Sequence, residues 1–195
     1  MPDYYNNMIH KVDRKGKLMS IKDMTNDEWD IGSYNNYRLE FVEYGDNNKA
    51  QRIIPFFMDA DELTGILGQI TSGNYTKVFD DWENFYAGSK NQGQGRKNVD
   101  GNMVPIVEGT ESRRMSIGLN DQGYFVFKVS VGPGKVGSTG AIKPAGDTAY
   151  SISFGITTQE VAIMAKAIET YTIAKKVIGV SNYMRNKKKE QPKGE

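Results

Sequence analysis

Hydrophobic positions follow the same pattern in the two halves of the chain. Residues 54–58 and residues 152–156 are apolar or alternating runs typical of strands. Each run leads into a segment whose apolar residues recur at the i, i+3, i+4, i+7 spacing of a helix lying on a sheet. These helical positions are Leu63, Ile66, Leu67 and Ile70 in one half and Val161, Met164, Ala165 and Ile168 in the other. The pattern predicts a strand followed by an amphipathic helix, twice.

Each predicted helix begins with a capping signal. Asp59 stands three residues before Glu62, and Thr157 stands three residues before Glu160. In such a capping box, the first side chain accepts a hydrogen bond from a free backbone amide and the glutamate reaches back. We therefore expect the two helices to begin at Asp59 and Thr157.

Two further strands are predicted upstream of each capped helix. Residues 17–21 resemble residues 114–117, and each segment precedes a strand that opens on tyrosine, at Tyr37 or Tyr124. The order strand, strand, strand, helix therefore occurs twice. This predicts an α+β protein with two antiparallel β-sheets, each followed by a helix, although two unrelated α+β pieces would give a similar pattern.

The predicted boundaries make residues 1–183 a single domain. Repeat one covers about residues 8–75 and repeat two about residues 103–180, with the second helix ending near Gly179. Between them, residues 87–100 are rich in glycine and amides, so we expect a mobile loop. Residues 184–195 are predicted to be a basic, disordered tail.

Strand alternation assigns two faces to each predicted sheet. Phe125, Phe127 and Val129 share the side that the helix must cover, because successive side chains of a strand point to opposite faces. The opposite side presents mostly hydroxyls, rings and cations, namely Arg114, Ser116, Tyr124, Val126, Lys128, Ser130, Ser151 and Ser153. In the first half it carries Arg38, Val42 and Tyr44, and Glu40 interrupts the pattern. Unpaired bases stack on rings at roughly 1–3 kcal/mol each while cations hold phosphates. A solvated sheet face has the same pattern.

Composition limits the possible functions. The chain has 195 residues and a net charge of +1, unlike the strongly basic binders of duplex DNA. It has no cysteine, and His10 is the only histidine, which excludes disulfides, cysteine-based sites, a histidine-dependent triad and a multi-histidine metal site. We therefore predict a protein that is not an enzyme and has no metal or cofactor. With short apolar runs and no secretion signal, we expect it to be cytoplasmic, with no membrane partner.

A glycine-rich segment at residues 132–140 contains Lys135. A phosphate-binding P-loop needs serine or threonine directly after this lysine and then a helix, but Val136 follows it and the next predicted element is a strand. We predict a flexible hairpin that contacts ligand through Lys135 and Lys143.

Several segments resemble the Whirly family of single-stranded DNA-binding proteins. Lys15-Gly16-Lys17 is similar to the start of the family's Lys-Gly-Lys motif, although the alanines that follow in the family are replaced. Residues 123–127, 150–157 and 177–180 resemble its aromatic strand, the strand before its last helix and the end of that helix. The resemblance covers about residues 8–180. It implies tandem strand–helix units, binding of single-stranded DNA across the strand faces, a homotetramer formed through the helical side, and backbone contacts from Lys15 and Lys17.

The sequence therefore predicts a single-stranded DNA-binding protein with little sequence specificity, acting in DNA replication, recombination or repair. The candidate nucleic-acid-binding residues are Lys15, Lys17, Arg38, Tyr44, Arg114, Tyr124, Lys128 and Lys135. One alternative is an RNA-binding or transcription-associated module on the same fold. Another is a protein-interaction or assembly protein that binds no nucleic acid.

Overall fold

The chain forms two antiparallel β-sheets and two helices in a computed structural model that describes residues 8–24, 36–45, 47–75, 82–91 and 93–190. The first half contains β1 (Met8–Arg14), β2 (Lys17–Asp23), β3 (Asn36–Tyr44), β4 (Ala50–Asp59) and α1 (Ala60–Thr71). The second half contains β5 (Glu83–Ser89), β6 (Arg96–Val99), β7 (Asn102–Pro105), β8 (Glu111–Leu119), β9 (Phe125–Val136), β10 (Ile142–Pro144), β11 (Tyr150–Ile156) and α2 (Thr158–Glu190). Within this described part, neither helix is both long and apolar enough to cross a bilayer.

The internal duplication is confirmed. In sheet 1 the order β1-β2-β3-β4 leads into α1, and in sheet 2 the order β5-β8-β9-β11 leads into α2. The strand pairs β2 and β8, β3 and β9, and β4 and β11 occupy equivalent places, as their sequence similarity predicts. Each repeat has one strand more than the three predicted, because β1 and β5 add a first strand to each sheet.

The segment between the repeats differs from the predicted loop. Residues 87–100 contain the end of β5 and all of β6, so the second repeat begins at β5 rather than near residue 103. β6 and β7 form a hairpin that extends sheet 1 by pairing with β4. Its turn residues Asp100 and Gly101 have φ values of 51° and 88°, the positive values that a tight hairpin turn with right-handed strand twist requires.

A buried ion pair explains why the chain before β6 has a fixed place. The Glu111 carboxylate is fully buried and accepts hydrogen bonds from the amides of Gln94, at 3.1 Å, and Gly95, at 3.0 Å. Arg113 lies 3.1 Å from Glu111 and donates to the Pro55 carbonyl at 2.5 Å. Burial lowers the pKa of Arg113. The hydrogen bonds to Glu111 tie residues 94–95 to β8, and the bond from Arg113 to Pro55 ties β8 to sheet 1.

The C-terminal helix is longer than predicted. α2 continues past Gly179 to Glu190, because no proline interrupts it and an interior glycine costs a helix only about 1 kcal/mol. The helix therefore includes the first part of the predicted disordered tail, and residues 191–195 lie outside the described residues.

The predicted helix caps are present. The Asp59 carboxylate accepts hydrogen bonds from the amides of Asp61, at 2.8 Å, and Glu62, at 3.3 Å. At α2 the box is reciprocal, since the Thr157 hydroxyl accepts from the Glu160 amide at 3.2 Å and Glu160 accepts from the Thr157 amide at 2.9 Å. These bonds fix the point at which each sheet turns into its helix.

One hydrophobic core joins the two repeats. The predicted helical positions are buried, except Ala165, which is partly buried. The aromatic and aliphatic side chains on the inner face of β9 and β11 pack into the same core. Phe41 of sheet 1 meets Phe154 of sheet 2 edge to face, with ring centroids 6.4 Å apart. The apolar faces therefore point inward, which leaves the opposite face of each sheet as the outer face.

Polar contacts also connect the repeats. Arg14 of β1 reaches both carboxylate oxygens of Glu160 at 2.7 Å. The Tyr150 hydroxyl donates to Glu43 at 2.6 Å, and Arg52 donates to the same oxygen at 2.7 Å. Burial, together with the hydrogen bond to Glu43, raises the pKa of Tyr150. These contacts hold the two sheets in one arrangement.

Candidate nucleic-acid interface

The outer face of sheet 2 is polar across all four strands. Strand register places its side chains in two rows that run across the strands. One row is Tyr86, Arg114, Ser130 and Ser151, and the other is Asn84, Ser116, Lys128 and Ser153. We call these eight residues the trough.

β10 and the segment after it form one wall of the trough. A β-carbon on Gly88 would lie 2.6 Å from Ile142, and one on Gly134 would lie 2.8 Å from the same side chain. A β-carbon on Gly132 would lie 2.8 Å from the Asp147 carbonyl oxygen. Glycine is therefore required at these places, because the wall packs directly on the backbone of β5 and β9.

Two aromatic side chains form the opposite wall. Trp82 lies over Gly118, where a β-carbon would come within 1.9 Å of the indole ring. Tyr124 lies beside Gly155, with 3.8 Å between its Cβ and a β-carbon placed on that glycine. Since both glycines belong to the outer face, the rings border the polar rows at the end away from β10.

The trough carries positive charge that the protein itself does not neutralise. Arg114 is exposed and Lys128 is half-buried, and neither forms an ion pair with any residue in the described part of the chain. Tyr86, directly across from Arg114, is 59% exposed, and Tyr124 is 41% exposed. The trough thus combines free cations with accessible rings and hydroxyls.

The outer face of sheet 1 is different. Lys22 pairs with Glu40 at 3.0 Å, and Arg38 pairs with the same carboxylate. Val42 is 4% exposed, so it offers almost no contact surface. Lys22 and Arg38 are thus already paired, and a phosphate would have to compete with Glu40 for them.

Comparison with known proteins identifies the fold. No protein-family model matches this chain, and no curated protein matches it by sequence. Among solved structures, WHY1 from Arabidopsis thaliana superposes with a TM-score of 0.51 at 13% identity, over 100% of this chain and 99% of that one. The plant transcriptional regulator PBF-2 has a TM-score of 0.50 at 12% identity, over 93% and 96%. Both are Whirly proteins.

The chain has a Whirly fold. The fold class inferred from the sequence, with its tandem sheets and helices, is thereby confirmed. At these identities the likeness shows the fold alone, so the residues that bind a ligand must be argued from this chain's own side chains.

The eight candidate residues are divided between the two sheets of the Whirly fold. Arg114 and Lys128 lie in the trough, and Tyr124 lies in its wall. Lys135 lies beyond the trough on the β9–β10 hairpin, directly across from Lys143, and both lysines are exposed. Two like charges facing each other destabilise a hairpin, so this pair favours an anionic partner.

The other four candidates lie on sheet 1, away from the trough. Lys15 is exposed in the β1–β2 turn, and Lys17 is cross-strand from Glu43 on the core-facing side of β2. Arg38 is paired with Glu40 as described. Tyr44 is half-buried at the end of β3, where its amide donates to the Gly16 carbonyl at 2.8 Å. The Whirly fold does not bring these four together with Arg114.

Sequence reasoning missed the contribution of β5 to the Whirly sheet. Trp82, Asn84 and Tyr86 all reach the outer face from this strand or its start. The signal was present, because Phe85 and Ala87 alternate with Asn84 and Tyr86 and pack against the core.

Proposed function

We propose that this protein binds single-stranded DNA along the trough with little sequence specificity, and that it acts by binding rather than by catalysis. The observation that carries the proposal is the combination of unpaired Arg114 and Lys128 with the accessible rings of Tyr86 and Tyr124 on one sheet face. Every base has a face that can stack on a ring, and every nucleotide has a phosphate, so this combination requires no particular sequence.

The chemistry of the trough favours a single strand over a duplex. A duplex hides the faces of its bases, so Tyr86 and Tyr124 would have nothing to stack on. Affinity for a duplex would have to come from phosphate contacts alone, and a chain of net charge +1 with two free cations in the trough supplies few of them.

The hydroxyl groups of the trough add groups that can both donate and accept hydrogen bonds. Ser151 and Ser153 lie on β11 beside Ser130 and Lys128, and a serine hydroxyl can both donate and accept. Such groups suit base edges of any kind, which agrees with a sequence-tolerant binder. DNA replication, recombination or repair is the finer role that we infer for a protein of this kind.

A second candidate function is RNA binding or a part in transcription on the same surface. One observation favours it: PBF-2, whose fold is similar, is described as a plant transcriptional regulator. A ribose 2′-hydroxyl is the group by which such a site would distinguish RNA from DNA.

We also propose that the protein self-associates through α2, with a tetramer as the favoured state. This helix has 33 residues, about 50 Å of length, and its beginning is anchored by buried Val161 and Ile168. Further along, Ile173, Val177 and Ile178 are 55%, 63% and 61% exposed. A second copy would cover these apolar side chains, and sedimentation equilibrium would detect it.

Fluorescence anisotropy with labelled oligonucleotides of one sequence tests the proposed ligand. We expect tight binding to single-stranded DNA, weaker binding to the duplex, and an affinity for RNA that separates the two candidate functions. Absence of binding to all three at low salt would refute both and leave a protein-interaction role.

A further inference from the structure

A cavity of about 140 Å³ opens where the trough meets the β10 wall. β8 and β9 form its floor through Ser112, Arg114 and Ser130, and β10 with the segment after it forms its far side through Pro144 and Thr148. Of the eight candidate residues, Arg114 alone lines this cavity, which also shares Ser130 with the trough.

Two hydroxyls of the cavity have no partner within the protein. Ser112 is 5% exposed and Ser130 is 4% exposed, and neither hydroxyl forms a hydrogen bond with a residue that the structure describes. Neither hydroxyl oxygen is sealed from solvent, so both open onto the cavity. A ligand that covers them must supply hydrogen bonds of its own, because a buried hydroxyl without a partner costs free energy. The two hydroxyls therefore favour a ligand with polar groups at its inner edge.

The size of the cavity corresponds to one six-membered ring. An apolar cavity of about 150 Å³ takes up benzene, so a cavity of similar volume has room for a single ring, whereas the fused rings of a purine would extend out of its mouth. A phosphate group is smaller and would leave part of the space empty. The rings of Pro133 and Pro144 line the cavity and offer surfaces against which a flat ring can pack.

The polar groups match the edge of a pyrimidine. A pyrimidine edge combines carbonyl oxygens with a ring nitrogen, and it therefore needs both donors and acceptors. The Arg114 guanidinium only donates, whereas the hydroxyls of Ser112, Ser130 and Thr148 can do either. Single-stranded bases that are turned out of their stack are recognised in this way along their edges.

We propose that the cavity receives one pyrimidine base of the bound strand, which gives an otherwise sequence-tolerant binder a preference at one nucleotide. This rests on the proposed binding of single strands in the trough. The path of the strand over Arg114 and Ser130 brings a base to the mouth of the cavity, because both residues belong to trough and cavity alike.

The test compares short oligonucleotides of thymidine, of adenosine and of abasic sugar-phosphate at equal length. Ser112→Ala with Ser130→Ala removes the hydroxyls and leaves the space, and Gly146→Leu fills the space and leaves the hydroxyls. A β-carbon on Gly146 would lie 3.7 Å from Pro133, an ordinary contact, so a side chain can begin at this position without displacing the backbone. Thr170→Ala is the matched control, an exposed hydroxyl on α2 that lies outside both the trough and the cavity.

We expect both cavity variants to weaken binding of the thymidine strand about two- to tenfold more than binding of the adenosine and abasic strands, the value of one neutral hydrogen bond. The free energy of base stacking within the unbound adenosine strand does not affect the result, because the affinity of each strand for a variant is compared with its affinity for the wild-type protein. Equal weakening of all three strands would show a phosphate contact, and no change in any would show an unused cavity; either overturns the inference. Failure of the wild-type protein to bind any strand would instead refute the proposed function.

Discussion

Replacing Arg114 and Lys128 together with glutamine should reduce the salt dependence of single-strand binding while the protein stays folded. Neither side chain forms an ion pair with a described residue, so the change breaks no charged contact in the folded chain. Surface substitutions of this kind alter the free energy of unfolding by no more than about 0.5 kcal/mol.

The expected size of the effect follows from counterion release. Each phosphate contact contributes about 0.7 to the slope of log affinity against log salt concentration for a single strand, so losing two contacts lowers the slope by about 1.4. Between about 50 and 200 mM salt, the wild-type protein should then lose about sevenfold more affinity than the variant does.

Anisotropy titrations of one labelled oligonucleotide across a salt series measure this slope directly. Lys49→Gln with Lys176→Gln is the matched control, because it removes the same charge from exposed positions outside the trough that form no ion pair with a described residue. The reasoning is refuted if the trough variant keeps the wild-type slope, or if the control lowers the slope equally, since affinity would then follow net charge instead of position.

Three further predictions concern other parts of the molecule. Tyr124→Ala should weaken single-strand binding by about 1–3 kcal/mol in the same titration, the value of one stacked base, and unchanged affinity would remove this ring from the site. Deleting the chain from Arg185 onward should lower the salt slope without abolishing binding, and complete loss would show that the trough is not the platform. The backbone hydrogen bond from Thr157, assisted by Arg14, lowers the pKa of Glu160 in the folded chain. Ionised Glu160 therefore stabilises the fold at pH values above the ordinary pKa that this carboxyl has in the unfolded chain. Glu160→Gln should therefore cost stability at neutral pH, and the cost should disappear as the pH falls through the lowered pKa; an equal cost in urea unfolding at both pH values would contradict this.

The features that local sequence determines were predicted from it. A capping box and the apolar stripe behind it involve residues within about two helical turns, so Thr157, Glu160 and the positions after them sufficed to place α2. The alternation along β9 is equally local, and it assigned Lys128 to the outer face and Phe127 to the core.

Features that depend on distant pairing were not predicted. β5 becomes part of the outer face only because Tyr86 pairs with Arg114 on β8, across a chain segment that also forms the β6–β7 hairpin. The β6–β7 hairpin had a local signal, since Asp100-Gly101 is a preferred tight turn, but the surrounding glycines and amides favoured a loop.

The ion pair between Arg38 and Glu40 also had a local signal, because residues two apart on a strand share a face.

The two walls of the trough set the length of strand that the proposed interface could hold. With β10 at one end and Trp82 and Tyr124 at the other, a strand bound as proposed would pass from β5 to β11, across three spacings of about 4.8 Å each. That distance would accommodate only a few nucleotides, so a single copy would bind weakly. Copies joined through α2 would turn every later contact into an intramolecular one at high effective concentration. Under the proposed function, the protein would therefore select for strand length: short fragments would dissociate, whereas strands long enough to reach a neighbouring copy would be retained.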